Sequence, residues 1–276
     1  MVIATAVRDW RFSLGRISGR GTGGAFAGVT ALLFTASTAT TVLWGSSMAA
    51  TGMPMPGGWT MSMAWMRMPK QTWPGAAASF IAMWLVMMVA MMLPSLAPTL
   101  WRYRETLART GAMCPNRLTA LAGVAYFLVW TVIGAALFPP GVVLAALEMQ
   151  RLGLARAVPM AAGVVVLLAG VLQFSTWKAH HLSCCREAPG SGCALATDAA
   201  AWRFGLRFGL HCSGDCAGFT AILLVIGVMD LRAMAAVAAA ITGERLAPNG
   251  ERVAQAIGTA AVISGLYMIA RAAGLA

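Results

Sequence analysis

The chain has 276 residues, of which 59% are hydrophobic and only 11% charged, with a mean hydropathy of +0.74. Soluble domains carry about 25% charged residues, so a soluble globular fold is excluded and a polytopic helical membrane protein is expected. The net charge of +11 does not point to nucleic acid, because no basic stripe with interleaved aromatic residues is present; short basic loops on one side of a bilayer account for it.

Residues 1–24 carry Arg8, Arg11, Arg16 and Arg20 and are expected to form a basic cytoplasmic N-terminus. The apolar run over 25–50 is long and Thr-rich, unlike the short core of a cleavable leader, and reads as an uncleaved first span. A Met-rich loop at 51–76 follows, with Met53, Met55, Met61, Met63, Met66 and Met68 among several prolines. Its Gly and Pro content argues against one long helix, although 59–68 is suited to a short interfacial one.

Span two, about 77–100, carries Met83, Met87, Met88, Met91 and Met92 before Pro94 and Pro98, which are expected to kink or break it. After a basic loop comes span three, about 118–138, closed by Pro139-Pro140, and then span four at about 157–175. The most polar loop is expected at 176–207, with Lys178, His180, His181, Cys184, Cys185 and Cys193. Span five is about 208–228. The run 232–246 is short for a crossing, and the last span is about 253–272. The reading is one all-α transmembrane bundle over 25–276 with six or seven membrane helices. Strongly basic segments alternate so that the N-terminus and the 176–207 loop share the cytoplasmic side and the Met-rich loop faces outward.

Three patterns carry chemistry. Nineteen methionines are many for this length, and twelve of them fall between Met48 and Met92. Thioether sulfur is a soft ligand for Cu(I). Met83, Met87 and Met91 form one row at helical spacing, with Met88 and Met92 in a second row beside it. The competing explanation is that methionine fills irregular helix packing. In the second pattern, five of six cysteines and all three histidines lie between His180 and Cys216. His181 and Cys185 stand one turn apart, and Cys184 adjoins them. In the third, His211, Cys212, Asp215 and Cys216 lie on a little under half of one helix circumference, where unpaired they would be costly in hydrocarbon. Small hydrophobic cysteines and an interfacial histidine are the alternative. Gly205, Gly209, Gly214 and Gly218 on the same helix predict close approach of another helix, with the Met-bearing one as candidate.

The segment Trp84-Leu-Val-Met87-Met88-Val-Ala90-Met91-Met92-Leu-Pro94-Ser95 resembles the signature of DUF2182, a family of predicted metal-binding integral membrane proteins of bacteria. Two further blocks agree. Trp177-Lys178…His181-Leu182…Cys185-Arg186 is similar to a family Lys-x-x-Cys-Leu-x-x-Cys-Arg element. Gly209…Cys212-Ser-Gly214-Asp215-Cys216, continued by Gly227-Val-Met229-Asp230, is similar to a Cys-x-Gly-Cys-Cys element. His181 and Asp215 each replace a family cysteine, and Asp230 replaces an asparagine. The resemblance implies metal binding and a bacterial membrane location.

The expected function is an inner-membrane protein that binds and handles or moves Cu(I), with zinc as the alternative ion. Copper would be collected at Met53, Met55, Met61, Met63, Met66 and Met68, and passed or held by Met87, Met88, Met91 and Met92. His211, Cys212, Asp215, Cys216, His181, Cys184 and Cys185 would bind it most tightly. Expected partners are the lipid bilayer, the metal ion, and a metallochaperone or other membrane subunits. The competing readings are a copper-dependent membrane oxidoreductase subunit and a metal-free membrane scaffold or assembly partner.

Overall fold

A computed structural model describes residues 21–50, 52–55, 59–67, 71–186 and 197–274. The basic N-terminus up to residue 20, Met68 and Cys193 lie outside them. The described chain is an all-α bundle of eight helices with one small hairpin. In order these are α1 (Gly21–Ala50), strands β1 (Met53–Met55) and β2 (Trp59–Met61), a 3-10 turn at Met63–Trp65, α2 (Trp73–Arg109), α3 (Pro115–Gln150), α4 (Leu152–Leu172), α5 (Thr176–Arg186), α6 (Asp198–Ile226), α7 (Leu231–Leu246) and α8 (Gly250–Ala272). Six of them, all but α5 and α7, are long and apolar enough to cross a membrane.

The local signals explain these limits. The Thr72 hydroxyl accepts from the Gly75 amide at the start of α2, and Pro74 occupies a first-turn position where no amide is needed. Asp230 caps α7 by accepting from the Arg232 and Ala233 amides at 2.9 and 2.8 Å, immediately after α6 ends at Gly227 with φ +137°. Pro94 and Pro98 do not break α2, which runs through them, and Pro139-Pro140, expected to close span three, lie inside a continuous α3. Neighbouring helices support a transmembrane helix through the missing hydrogen bonds. Over the described residues 59–67 the chain forms a strand and a 3-10 turn rather than one interfacial α-helix. Met53 pairs with Met61 and Met55 with Trp59 in an antiparallel hairpin, which Trp59 ties to α4 by donating to the Ala155 carbonyl at 2.9 Å.

At 1.5 Å per residue, α2 is about 55 Å long, well beyond a hydrocarbon core of about 30 Å. Its C-terminal part continues with the N-terminal parts of α3 and α6 into a separate extension. Tyr103 stacks on Phe204 at 4.4 Å, Arg117 pairs with Asp198, and Arg104 donates to Asn116. Much of the expected 176–207 loop is therefore helix, as α5 and the first turns of α6. The 16 residues of α7, about 24 Å long, run between the two ends of the bundle. Leu231 packs on Gly45 of α1 at the hairpin end, and Glu244 and Arg245 meet α5 at the other.

The glycines of α6 set the helix spacing. A Cβ on Gly205 would strike the Ala122 carbonyl of α3, and one on Gly209 would lie 2.9 Å from Val129. The helices met at these glycines are thus α3 at Gly205 and Gly209, α5 at Gly214 and α4 at Gly218, rather than the Met-bearing α2. Gly205→Ala is expected to cost about 1–3 kcal/mol through overpacking against backbone, lowering the thermal unfolding midpoint in detergent. Gly28→Ala, which meets nothing within 4 Å, should leave that midpoint unchanged.

Candidate metal centre

The methionine rows of α2 face inward. Met83, Met87, Met88, Met91 and Met92 are all nearly inaccessible, and they share one core cluster with Cys185, Cys212 and Cys216. The row begins one turn beyond Phe80, on which Trp65 of the hairpin segment packs at 4.8 Å. It ends one turn before Ser95. Met61 is buried in the hairpin, Met55 and Met66 are half-buried, and Met53 is exposed.

Beyond the methionines, the side chains expected to converge on α6 are divided between two neighbourhoods. Cys212, Asp215 and Cys216 face the core, where Arg245 from α7 meets all three. Its Nη2 donates to Cys212 Sγ at 2.9 Å, Asp215 Oδ2 at 3.0 Å and Cys216 Sγ at 3.3 Å. Its Nε donates to Asp215 Oδ2 at 3.2 Å and its Nη1 to Ser95 Oγ at 3.2 Å. The Tyr126 hydroxyl of α3 lies 2.8 Å from Cys212 Sγ.

Lys178 of α5 completes the buried charges, 2.8 Å from Asp215 Oδ1 and 2.7 Å from Glu244 Oε2. Burial opposes the Lys178 ammonium, but Asp215 and Glu244 outweigh it and hold its pKa above the ordinary lysine value. Burial pushes the Cys185 thiol up, and Arg245 only partly offsets this. Two cations and two carboxylates thus stand around the sulfurs. Arg186 fixes the end of α7 that carries Glu244 and Arg245, donating to the carbonyls of Glu244 (2.7 Å), Arg245 (3.2 Å) and Pro248 (3.1 Å).

His211 points the other way, toward α5. One ligand atom each from His180, Cys184 and His211 lie within 4.8 Å of one another, a spacing that one metal ion can bridge. His181 adjoins them, with its Nδ1 3.3 Å from that of His211. It can approach because Gly214 presents no Cβ: one built there would lie 2.8 Å from the His181 ring. His180 is exposed, while Cys184, His181 and His211 are half-buried. The division follows from angle. His211 and Cys212 differ by about 100° around α6, so His211 meets His181 of α5 while Cys212 meets Tyr126 of α3 and Arg245 of α7.

Sequence reasoning missed Arg245, Glu244, Tyr126 and Ser95 as parts of the inner cluster, and counted Lys178 as a loop charge. The available signal was Glu244-Arg245 at the end of a helix whose stretch from Ala233 to Ile241 is apolar, since ionisable residues there pair or serve a site.

A family model described as PpoB2, copper chaperone, matches residues 81–268. No curated protein and no solved structure matches the chain. The family match spans more than half of the chain, α2 through most of α8, and the chain belongs to this copper chaperone family.

Proposed function

We propose that this member of the copper chaperone family carries Cu(I) through a bacterial inner membrane along a line of soft ligands, with copper as cargo. The observation that carries the reading is the single buried core that the α2 methionines share with Cys185, Cys212 and Cys216. The hairpin methionines stand at one end of the bundle, the buried row Met83, Met87, Met88, Met91 and Met92 leads inward, and the cysteines share its core. The His180, Cys184 and His211 group opens on the far side, against α5. Uncharged thioethers suit Cu(I) where thiols would oxidise, and a Cys/His set suits tighter holding.

The exposed arginines Arg102, Arg109, Arg203 and Arg207 lie on the extension at the α5 end. The positive-inside rule makes that end cytoplasmic. On this reading the N-terminus is cytoplasmic, the Met hairpin faces outward, and a metallochaperone or another membrane subunit exchanges copper at the histidines.

The test is copper content of the purified protein after anaerobic loading with Cu(I), wild type beside His180→Ala/Cys184→Ala/His211→Ala. The wild type is expected to hold at least one copper per chain, and the triple variant one fewer. No copper in the wild type would overturn the reading in favour of a metal-free scaffold. A stable Cu(II) signal with substrate turnover would favour an oxidoreductase subunit instead.

A further inference from the structure

We infer that Cys212 and Cys216, with Cys185 beside them, form an inner Cu(I) site for which Arg245 is the built-in counter-cation. The inference rests on the copper-handling reading and adds a second, chemically distinct site to it.

The argument begins with what a buried Cu(I) thiolate complex requires. When Cu(I) binds two thiols, two Cu–S bonds form and two S–H bonds break. Two protons leave for water at the α5 end, and no electron changes hands. The product, one monovalent cation with two thiolates, carries one net negative charge. An uncompensated anion in a protein core is costly. Arg245 is already seated against both sulfurs at 2.9 and 3.3 Å, with its guanidinium buried.

Nor does the guanidinium depend on the sulfurs for its place. It makes two hydrogen bonds to Asp215 Oδ2 and one to Ser95, so it keeps its anchor when the sulfurs turn to a metal. Asp215 is in turn held by Lys178. A purely structural ion pair would need Asp215 and Arg245 but not two cysteines converging on the same nitrogen. Cys185, also buried, belongs to the same core cluster and offers a third sulfur.

The two sites are also joined by chain neighbours. His211 and Cys212 are adjacent on α6, and Cys184 and Cys185 are adjacent on α5. In each pair the first residue belongs to the outer group and the second to the inner one. An ion moving between the sites exchanges ligands between the same two helices.

The test uses the full chain in detergent, reduced and anaerobic. It is titrated with Cu(I) against a chromogenic Cu(I) chelator, with X-ray absorption to identify the ligands. In the His180→Ala/Cys184→Ala/His211→Ala variant, one copper bound by sulfur alone is expected to remain, and adding Cys212→Ser/Cys216→Ser should remove it. Arg245→Gln should weaken that remaining site roughly tenfold or more, as loss of a buried charge partner does, and Arg245→Lys should recover most of the affinity. Copper that disappears entirely with the outer variant would overturn the inner site while leaving the copper-handling reading intact. Unchanged affinity in Arg245→Gln would overturn the counter-cation role. If Arg245→Gln does not fold, the absorption spectrum of the outer variant decides, and nitrogen or oxygen ligands there overturn the proposal.

Discussion

Asp215→Ala is expected to be strongly destabilising, costing about 3–5 kcal/mol, the usual result of removing one partner from a buried ion pair. Asp215 accepts from Arg245 Nε and Nη2 and lies 2.8 Å from the Lys178 ammonium, and all three side chains are at most 3% exposed. Removing the carboxylate leaves two nearly inaccessible cations against Glu244 alone. The penalty comes from the stranded charge rather than from lost attraction. Combining Asp215→Ala with Lys178→Met should therefore recover part of the loss, a departure from additivity that a double-mutant cycle measures. The readout is the yield of monodisperse protein and its thermal unfolding midpoint. A double variant no better than Asp215→Ala would mean that Lys178 is not the charge Asp215 neutralises.

The bundle itself was legible because hydrocarbon leaves the chain few choices. Long apolar runs must be helices that satisfy their own backbone groups, and the rows Met83–Met87–Met91 and Met88–Met92 follow from helical spacing alone. Pro139-Pro140 misled because the effect of a proline depends on what packs alongside, as the unbroken α3 shows. The site was legible at the level of faces but not of partners. Spacing correctly brought Cys212, Asp215 and Cys216 to one side of α6. It carried no information about α5 and α7, the two short helices whose placement decides what those side chains meet. Arg245, 29 residues from Cys216 in sequence, reaches it only because α7 returns through the bundle and Arg186 anchors its end. His211 was joined to the cysteines by proximity on the helix, whereas in the fold it faces the histidines of α5.

The second large effect is expected from replacing Met87, Met88, Met91 and Met92 together with leucine. Met and Leu have similar volumes, and such swaps cost under about 1.5 kcal/mol each when the core can repack, so the variant should fold. Packing alone predicts little more than that. The copper-handling reading predicts a functional loss, because a bare cation in the bundle core is prohibitively costly and the thioethers are the ligands that bridge the hairpin to the cysteines. Proteoliposomes containing a Cu(I) chelator provide the measurement. Uptake driven by external Cu(I) should fall to the protein-free rate in the quadruple variant, while copper held at the histidine and cysteine sites of the detergent-purified protein stays at the wild-type level. Retained uptake would reduce the methionines to packing. Loss of both uptake and binding would mean that the rows shape the cysteine site rather than feed it. Only the first outcome, with transfer lost and binding kept, assigns the sulfur row the role of a path.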